Sequence, residues 1–95
     1  MTVGIVRIRL RLPSRTLKEK RAIVKSVVER LRQRFNASIA EVDDLDDPAL
    51  ATIAAACISN DSQHADAQLQ SIARAVEEWR LDAEVIEVAT ELSEF

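Results

Sequence analysis

Three arginines alternate with aliphatic residues near the start of the chain, at Arg7, Arg9 and Arg11. Guanidinium groups bind carboxylates and phosphates, so this row could contact an acidic protein partner or a nucleic-acid backbone. RNA binding on a sheet usually needs aromatic side chains for base stacking, and the chain has no Tyr, two Phe and one Trp. We therefore expect the arginines to pair with Glu87 and Glu91, or with a second subunit.

A second group of basic residues has helical spacing. Lys18, Arg21, Lys25 and Arg32 are separated by three, four and seven positions, which places them within about 60° of arc on an α-helix. Such a row could contact successive phosphates of a nucleic acid. The alternative is a solvated helix edge whose long side chains cover part of the core.

The charge of the chain is distributed unevenly. Residues 1–34 hold eleven Lys or Arg and two Asp or Glu, whereas residues 35–95 hold two and fourteen, for a net charge of −3. Such asymmetry between halves indicates a charged partner, or halves that neutralise each other within the fold or in a dimer. An overall acidic chain is a poor general nucleic-acid binder, so RNA binding would require a local basic surface.

The residue types needed for catalysis or metal binding do not form a recognisable pattern. Cys57 lies in a run of Ala and Ile, where a small buried residue is expected rather than a nucleophile activated by His64. An EF-hand loop starting at Asp43 would need Gly and Glu where Pro48 and Ala54 stand. We expect no catalytic residue, no metal site, no cofactor and no small-molecule substrate.

Hydrophobic periodicity predicts the elements that position these residues. Val6, Ile8 and Leu10 follow a period of two that Pro13 ends, and Thr16 with Glu19 forms a capping box. The alanine-rich residues 51–59 could be helical, but their length and the following turn residues favour a strand. The strands are predicted at residues 2–12, 37–42, 51–59 and 83–91, and the helices at residues 16–35 and 62–80.

The order strand–helix–strand–strand–helix–strand predicts an α+β, ferredoxin-like βαββαβ fold. Two helices should cover one face of a four-stranded antiparallel sheet and leave the other face open. Val3, Ile5, Arg7 and Arg9 would then lie on the open face, where a second copy or another protein could bind.

The length of 95 residues predicts one domain spanning residues 1–95. No apolar run is long enough to cross a membrane, and the N-terminus does not resemble a signal peptide. Cys57 is the single cysteine and has no partner for an internal disulfide, so a reducing cytoplasm is the expected location.

Three stretches carry a family resemblance: residues 17–21 (Leu-Lys-Glu-Lys-Arg), residues 34–43 (Arg-Phe-Asn-Ala-Ser-Ile-Ala-Glu-Val-Asp) and residues 59–64 (Ser-Asn-Asp-Ser-Gln-His). In this order and spacing they resemble the YlxP-like family of bacterial proteins, a domain of unknown function. Relatives often carry a Trp and an Arg before the third strand, whereas this chain has Asp-Asp-Pro-Ala-Leu at residues 46–50.

The resemblance implies a ferredoxin-like fold and a homodimer. It also implies a link to RNA or the ribosome, because genes of this family often lie near translation-initiation and ribosome-maturation genes. Two functions follow as expectations. One is a non-enzymatic module that contacts RNA or the ribosome through the basic edge of the first helix, and the other is a homodimeric interaction module that uses the open sheet face.

Overall fold

A computed structural model describes residues 1–79 and 83–95. Its elements are β1 (Thr2–Arg11), α1 (Leu17–Arg34), β2 (Ser38–Asp43), β3 (Leu50–Ser59), α2 (Ser62–Glu78) and β4 (Glu84–Glu94). The strands form one antiparallel sheet in the order β2-β3-β1-β4, so the ferredoxin-like prediction is confirmed. The predicted boundaries agree to within one to three residues, and residue 80, the predicted end of the second helix, lies outside the described residues.

The alternation in β1 separates a covered face of the sheet from an open one. Val6, Ile8 and Leu10 are buried in the core, whereas Arg7 and Arg11 are exposed on the opposite face. No arginine of this strand lies beneath a helix, because both helices contribute to the core on the Val6 side. The open face is therefore where the sequence predicted it.

The alanine-rich segment is a strand, as predicted. Ala51, Ile53 and Ala55 are buried and lie opposite Leu10, Ile8 and Val6 in the antiparallel register. Small side chains on this side of β3 leave room for the aliphatic side chains of α2, which packs against the strand. Ala51 and Ala55 thus occupy the packing space beneath the helices, whereas Ala54 and Ala56 lie opposite Arg7 and Ile5 on the open face.

Helix α1 begins at the predicted capping box. The Thr16 hydroxyl accepts a hydrogen bond from the Glu19 backbone N–H at 3.2 Å, and the Glu19 carboxylate accepts one from the Arg15 N–H at 3.0 Å. These bonds satisfy two backbone donors at the helix start. The aliphatic side of α1 packs into the core through Val24, Val27, Val28 and Leu31.

Helix α2 is capped by Asp61, whose carboxylate accepts a hydrogen bond from the Gln63 N–H at 2.9 Å. It lies very close to β1 at Gly4, the single glycine of the chain. A Cβ atom on Gly4 would lie 3.1 Å from Leu69 Cδ1 and 3.3 Å from Cys57 Sγ, closer than ordinary van der Waals contact. Glycine at this position therefore lets α2 seat Leu69 directly on the backbone of β1.

Candidate functional site

The four basic residues predicted on the first helix form an exposed row that we call the α1 stripe: Lys18, Arg21, Lys25 and Arg32. The Arg32 guanidinium donates a hydrogen bond to the Ile39 carbonyl of β2 at 2.8 Å, which places the stripe along the β2 edge of the sheet. The Arg32 guanidinium therefore already has a hydrogen-bond partner in the backbone of β2. The other three members of the stripe make no ion pair within 4.0 Å to the described residues.

Two further arginines of α1 contact aromatic rings of the same chain. The Arg30 guanidinium lies 5.2 Å from the centre of the Trp79 ring, and that of Arg34 lies 5.3 Å from the centre of the Phe35 ring. Both distances are within the range of cation–π attraction. The helical period places these arginines on the side of α1 away from the stripe.

The two halves of the chain neutralise each other only in part. Four ion pairs join the described residues, and they link Met1 to Glu94, Arg9 to Asp44, Arg11 to Glu84 and Lys20 to Glu41. Helix α2 is acidic, with three carboxylates against one basic residue, Arg74. Because the described acidic side chains do not pair with Lys18, Arg21 or Lys25, these charges face solvent.

The arginines of β1 have partners other than the expected ones. The Arg9 guanidinium donates from Nε to Asp44 Oδ2 at 3.1 Å and from its Nη2 to Asp44 Oδ1 at 3.3 Å. Arg11 bonds to Glu84 at 3.3 Å. Glu87 lies opposite Arg9 in the sheet without forming an ion pair with it, and Glu91 lies opposite an isoleucine. The expected pairing with these two glutamates is therefore wrong.

Asp44 is bound through its carboxylate on the open face of the sheet and through its backbone carbonyl on the side of the helices. On the open face, its carboxylate accepts hydrogen bonds from Arg9 and from the Thr52 hydroxyl, the latter at 2.7 Å. The bond from Arg9, followed by that from Thr52, holds the pKa of Asp44 below its ordinary value, and the same contact raises the pKa of Arg9. The Asp44 backbone has a φ of 59°, a left-handed conformation that Asp tolerates better than most residues.

Lys20 is the residue whose role the sequence did not indicate. Its side chain is 1% exposed, and its ammonium group donates to the backbone carbonyls of Asp44 and Leu45. Glu41 Oε2 lies 3.0 Å from Lys20 Nζ, as a charge contact not aligned for a hydrogen bond. This buried lysine ties α1 to β2 and to the loop before β3. The capping-box spacing gave no signal for it, because a lysine in the first turn of a helix is usually solvated.

The open face has a polar half and an apolar half. The polar half holds a concavity of about 240 Å³, lined by Arg7, Arg9, Asp43, Thr52, Glu87 and Ala89. The apolar half contains Ile5, 38% exposed, and Ile58, 71% exposed, with Val3 half-buried between them. Of the four residues predicted at an interface, Val3 and Ile5 therefore lie in the apolar half, Arg7 lines the polar half, and Arg9 is bound to Asp44.

The residues considered for catalysis lie in different surroundings. Cys57 is buried, and burial raises the pKa of its thiol, which disfavours the reactive thiolate. His64 is exposed in the first turn of α2.

Among residues 1–79 and 83–95, no three potential ligands cluster as a metal site would require. Likewise, no helix in this part of the chain is long and apolar enough to span a membrane.

The fold places the protein among the ferredoxin-like α+β domains. A designed protein, "De novo designed protein Foldit4", has a similar structure, with a TM-score of 0.54, 14% identity and 98% of each chain covered. At this identity the likeness concerns the fold alone.

Residues 3–90 match the family described as "Protein of unknown function (DUF503)", and the chain belongs to this family. The resemblance to YlxP-like proteins is thereby confirmed. A comparison with curated proteins gave no match.

Proposed function

We propose that the protein is a non-enzymatic cytoplasmic module that binds RNA, in the context of the ribosome, through the α1 stripe. The observation that carries this proposal is that Lys18, Arg21 and Lys25 are exposed on one side of α1 without an acidic partner among the described residues. Cationic side chains that are already neutralised would gain little from phosphate. Those that are free release the counterions of the nucleic acid when they bind.

The chemistry of the stripe favours contact with the RNA backbone over recognition of bases. The Phe35 and Trp79 rings are half-buried and lie against arginines on the other side of α1. The stripe has no aromatic residue, and its basic side chains, which lie beside the exposed Glu29, contact phosphates without reading sequence. From Lys18 to Lys25, the three members without a partner extend over about 10 Å along the helix, enough to reach neighbouring phosphates.

Binding of a short fluorescein-labelled RNA hairpin across a salt titration tests the proposal. The variant K18Q/R21Q/K25Q should bind more weakly, and its log–log salt slope should fall by about 2 to 3, because each lost phosphate contact removes about 0.7 to 0.9. Arg32 is left unchanged because it holds the Ile39 carbonyl.

A matched control removes the same charge from other places on the surface. The variant R30Q/R34Q/R74Q also lowers the net charge by three, but it leaves the α1 stripe intact. Its salt slope should stay close to that of the unaltered protein. Equal slopes for all three proteins, or an equal loss in both variants, would rule out the α1 stripe as the binding surface.

The apolar half of the open face favours a second candidate function, a homodimeric protein–protein interaction module. Ile58 is 71% exposed, and its neighbours in the sheet are Val3, Ile5 and Ala56. Contiguous apolar surface of this kind often marks a protein interface. Arg7, which has no ion-pair partner among the described residues, lies beside this surface and could bind a carboxylate of the second copy.

A further inference from the structure

The outer edge of β4 is a long strand edge without a partner among the described residues. β4 has 11 residues and pairs with β1 alone, at one end of the strand order. From Glu87 to Glu94 its register with β1 is continuous, since the irregularity lies between the partners of Arg9 and Leu10. The backbone N–H and C=O groups that point away from β1 are therefore available to another strand.

The opposite edge of the sheet is protected by comparison. β2 has six residues, and its pairing with β3 shifts between Glu41 and Asp43. In addition, the Arg32 guanidinium donates a hydrogen bond to the Ile39 carbonyl, which is then not free to pair with another strand. A short strand, an irregularity and a covering cation are devices that prevent strand addition. β4 has neither the short length nor a covering basic side chain.

The side chains of β4 give the two faces of the sheet different chemistry next to an added strand. On the side of the open face, Glu87 and Glu91 lie opposite Arg9 and Ile5. On the side of the helices, Val88 and Leu92 are 39% and 43% exposed, so α2 covers them only in part. A strand beside β4 would therefore meet carboxylates on one side and aliphatic groups on the other.

The charge of β4 disfavours a second copy of itself as the added strand. The strand has no basic residue, and it has four carboxylates, at Glu84, Glu87, Glu91 and Glu94. Pairing two β4 strands would place carboxylates next to carboxylates or neutral groups in every register, and like charges across strands are destabilising. β1 shows which chemistry fits, because its Arg11 guanidinium bonds to Glu84 on the inner edge of β4.

We propose that the outer edge of β4 binds an extended basic peptide segment of a partner protein, in which cationic and apolar residues alternate, as a fifth strand of the sheet. The backbone hydrogen bonds supply affinity, and the alternating side chains supply specificity. Cationic side chains pair with Glu87 and Glu91, while apolar side chains pack on Val88 and Leu92. This site is separate from the α1 stripe, so the inference goes beyond the proposed RNA binding.

The chain itself provides the probe for a test. A labelled synthetic peptide with the sequence of residues 6–12 (Val-Arg-Ile-Arg-Leu-Arg-Leu) has the required alternation. A peptide of the same composition with its arginines in one block is the control ligand. The full chain should bind the alternating peptide, and the variant E87Q/E91Q should bind it about fivefold more weakly, as expected when two cross-strand charge pairs are lost.

A matched variant and a residue-specific readout separate strand addition from general charge attraction. The variant E77Q/E78Q removes two exposed carboxylates from α2 and should bind the peptide as the unaltered chain does. In the complex, hydrogen exchange should slow at alternate amides between residues 87 and 94, which are the outward-pointing ones. Equal binding of the block peptide, equal binding by E87Q/E91Q, no binding, or unchanged exchange in β4 would overturn the proposal.

Discussion

Asp44 is the residue through which the two faces of the sheet are connected. Its carboxylate binds Arg9 and Thr52 on the open face, and its carbonyl accepts a hydrogen bond from Lys20 on the helix side. The left-handed backbone at Asp44 turns the chain so that both groups reach their partners. Two charged side chains from other parts of the sequence, Arg9 and Lys20, therefore bind the loop between β2 and β3.

Asp44 should make the stability of the fold sensitive to acid. Because its pKa is lower in the folded state than the ordinary 3.8, its contribution is fully present above about pH 4 and is lost as the pH falls through the lower, folded-state pKa. The variant D44N should melt at a lower temperature than the unaltered protein at neutral pH. The difference between them should shrink below about pH 4, as measured by thermal unfolding.

Asp46 provides a control in the same loop. It is exposed and forms no ion pair among the described residues, so D46N should melt like the unaltered chain across the same pH range. A constant difference between D44N and the unaltered protein down to low pH would contradict the role assigned to the Asp44 carboxylate.

At the scale of elements, Lys20 joins helix α1 to β2 and to the following loop. The variant K20M should destabilise the fold by about 3 kcal/mol, because it leaves the Glu41 carboxylate without its cation and two loop carbonyls without a donor. K18M changes the same residue type two positions earlier, where it is exposed, and should cost less than about 0.5 kcal/mol. Urea unfolding measures both, and similar losses would show that the burial of Lys20 contributes little.

The elements themselves were predictable where a local pattern determines them. The period of two in β1, the capping box at Thr16 and the cap at Asp61 all act within a few residues of the chain. The partners of Lys20 and Arg9 were not predictable, because they depend on how the loop carrying Asp44 folds back on the sheet. The last strand was predicted to end at residue 91 but continues to Glu94, since its final residues pair with Val3 and Thr2 at the start of β1.

In the candidate site, too, the features set by local sequence patterns were predictable, and the contacts set by the fold were not. Helical spacing alone predicted that Lys18, Arg21 and Lys25 share one side of α1. It could not predict that Arg32 holds the Ile39 carbonyl, because this contact requires α1 to lie beside β2. Nor could the sequence indicate which charges remain unpaired, since the ion pairs join residues up to 93 positions apart.

At the scale of the whole molecule, the helices and the open face lie on opposite sides of one sheet. A dimer formed through the apolar half of the open face would leave an α1 stripe exposed on each outer side. Sedimentation at micromolar concentration should show a reversible dimer, and I58K should shift it towards monomer because a charge in the apolar interface lacks a partner. A strict monomer at these concentrations would remove the second candidate function.

Recovery of the protein from its native lysate at low salt, with and without nuclease, tests whether the chain binds RNA through the α1 stripe. We expect ribosomal or other RNA to be recovered with the unaltered chain and with R30Q/R34Q/R74Q, nuclease to remove it, and K18Q/R21Q/K25Q to recover much less. Recovery of no RNA above background, or of equal RNA with both variants, would show that the α1 stripe does not bind RNA.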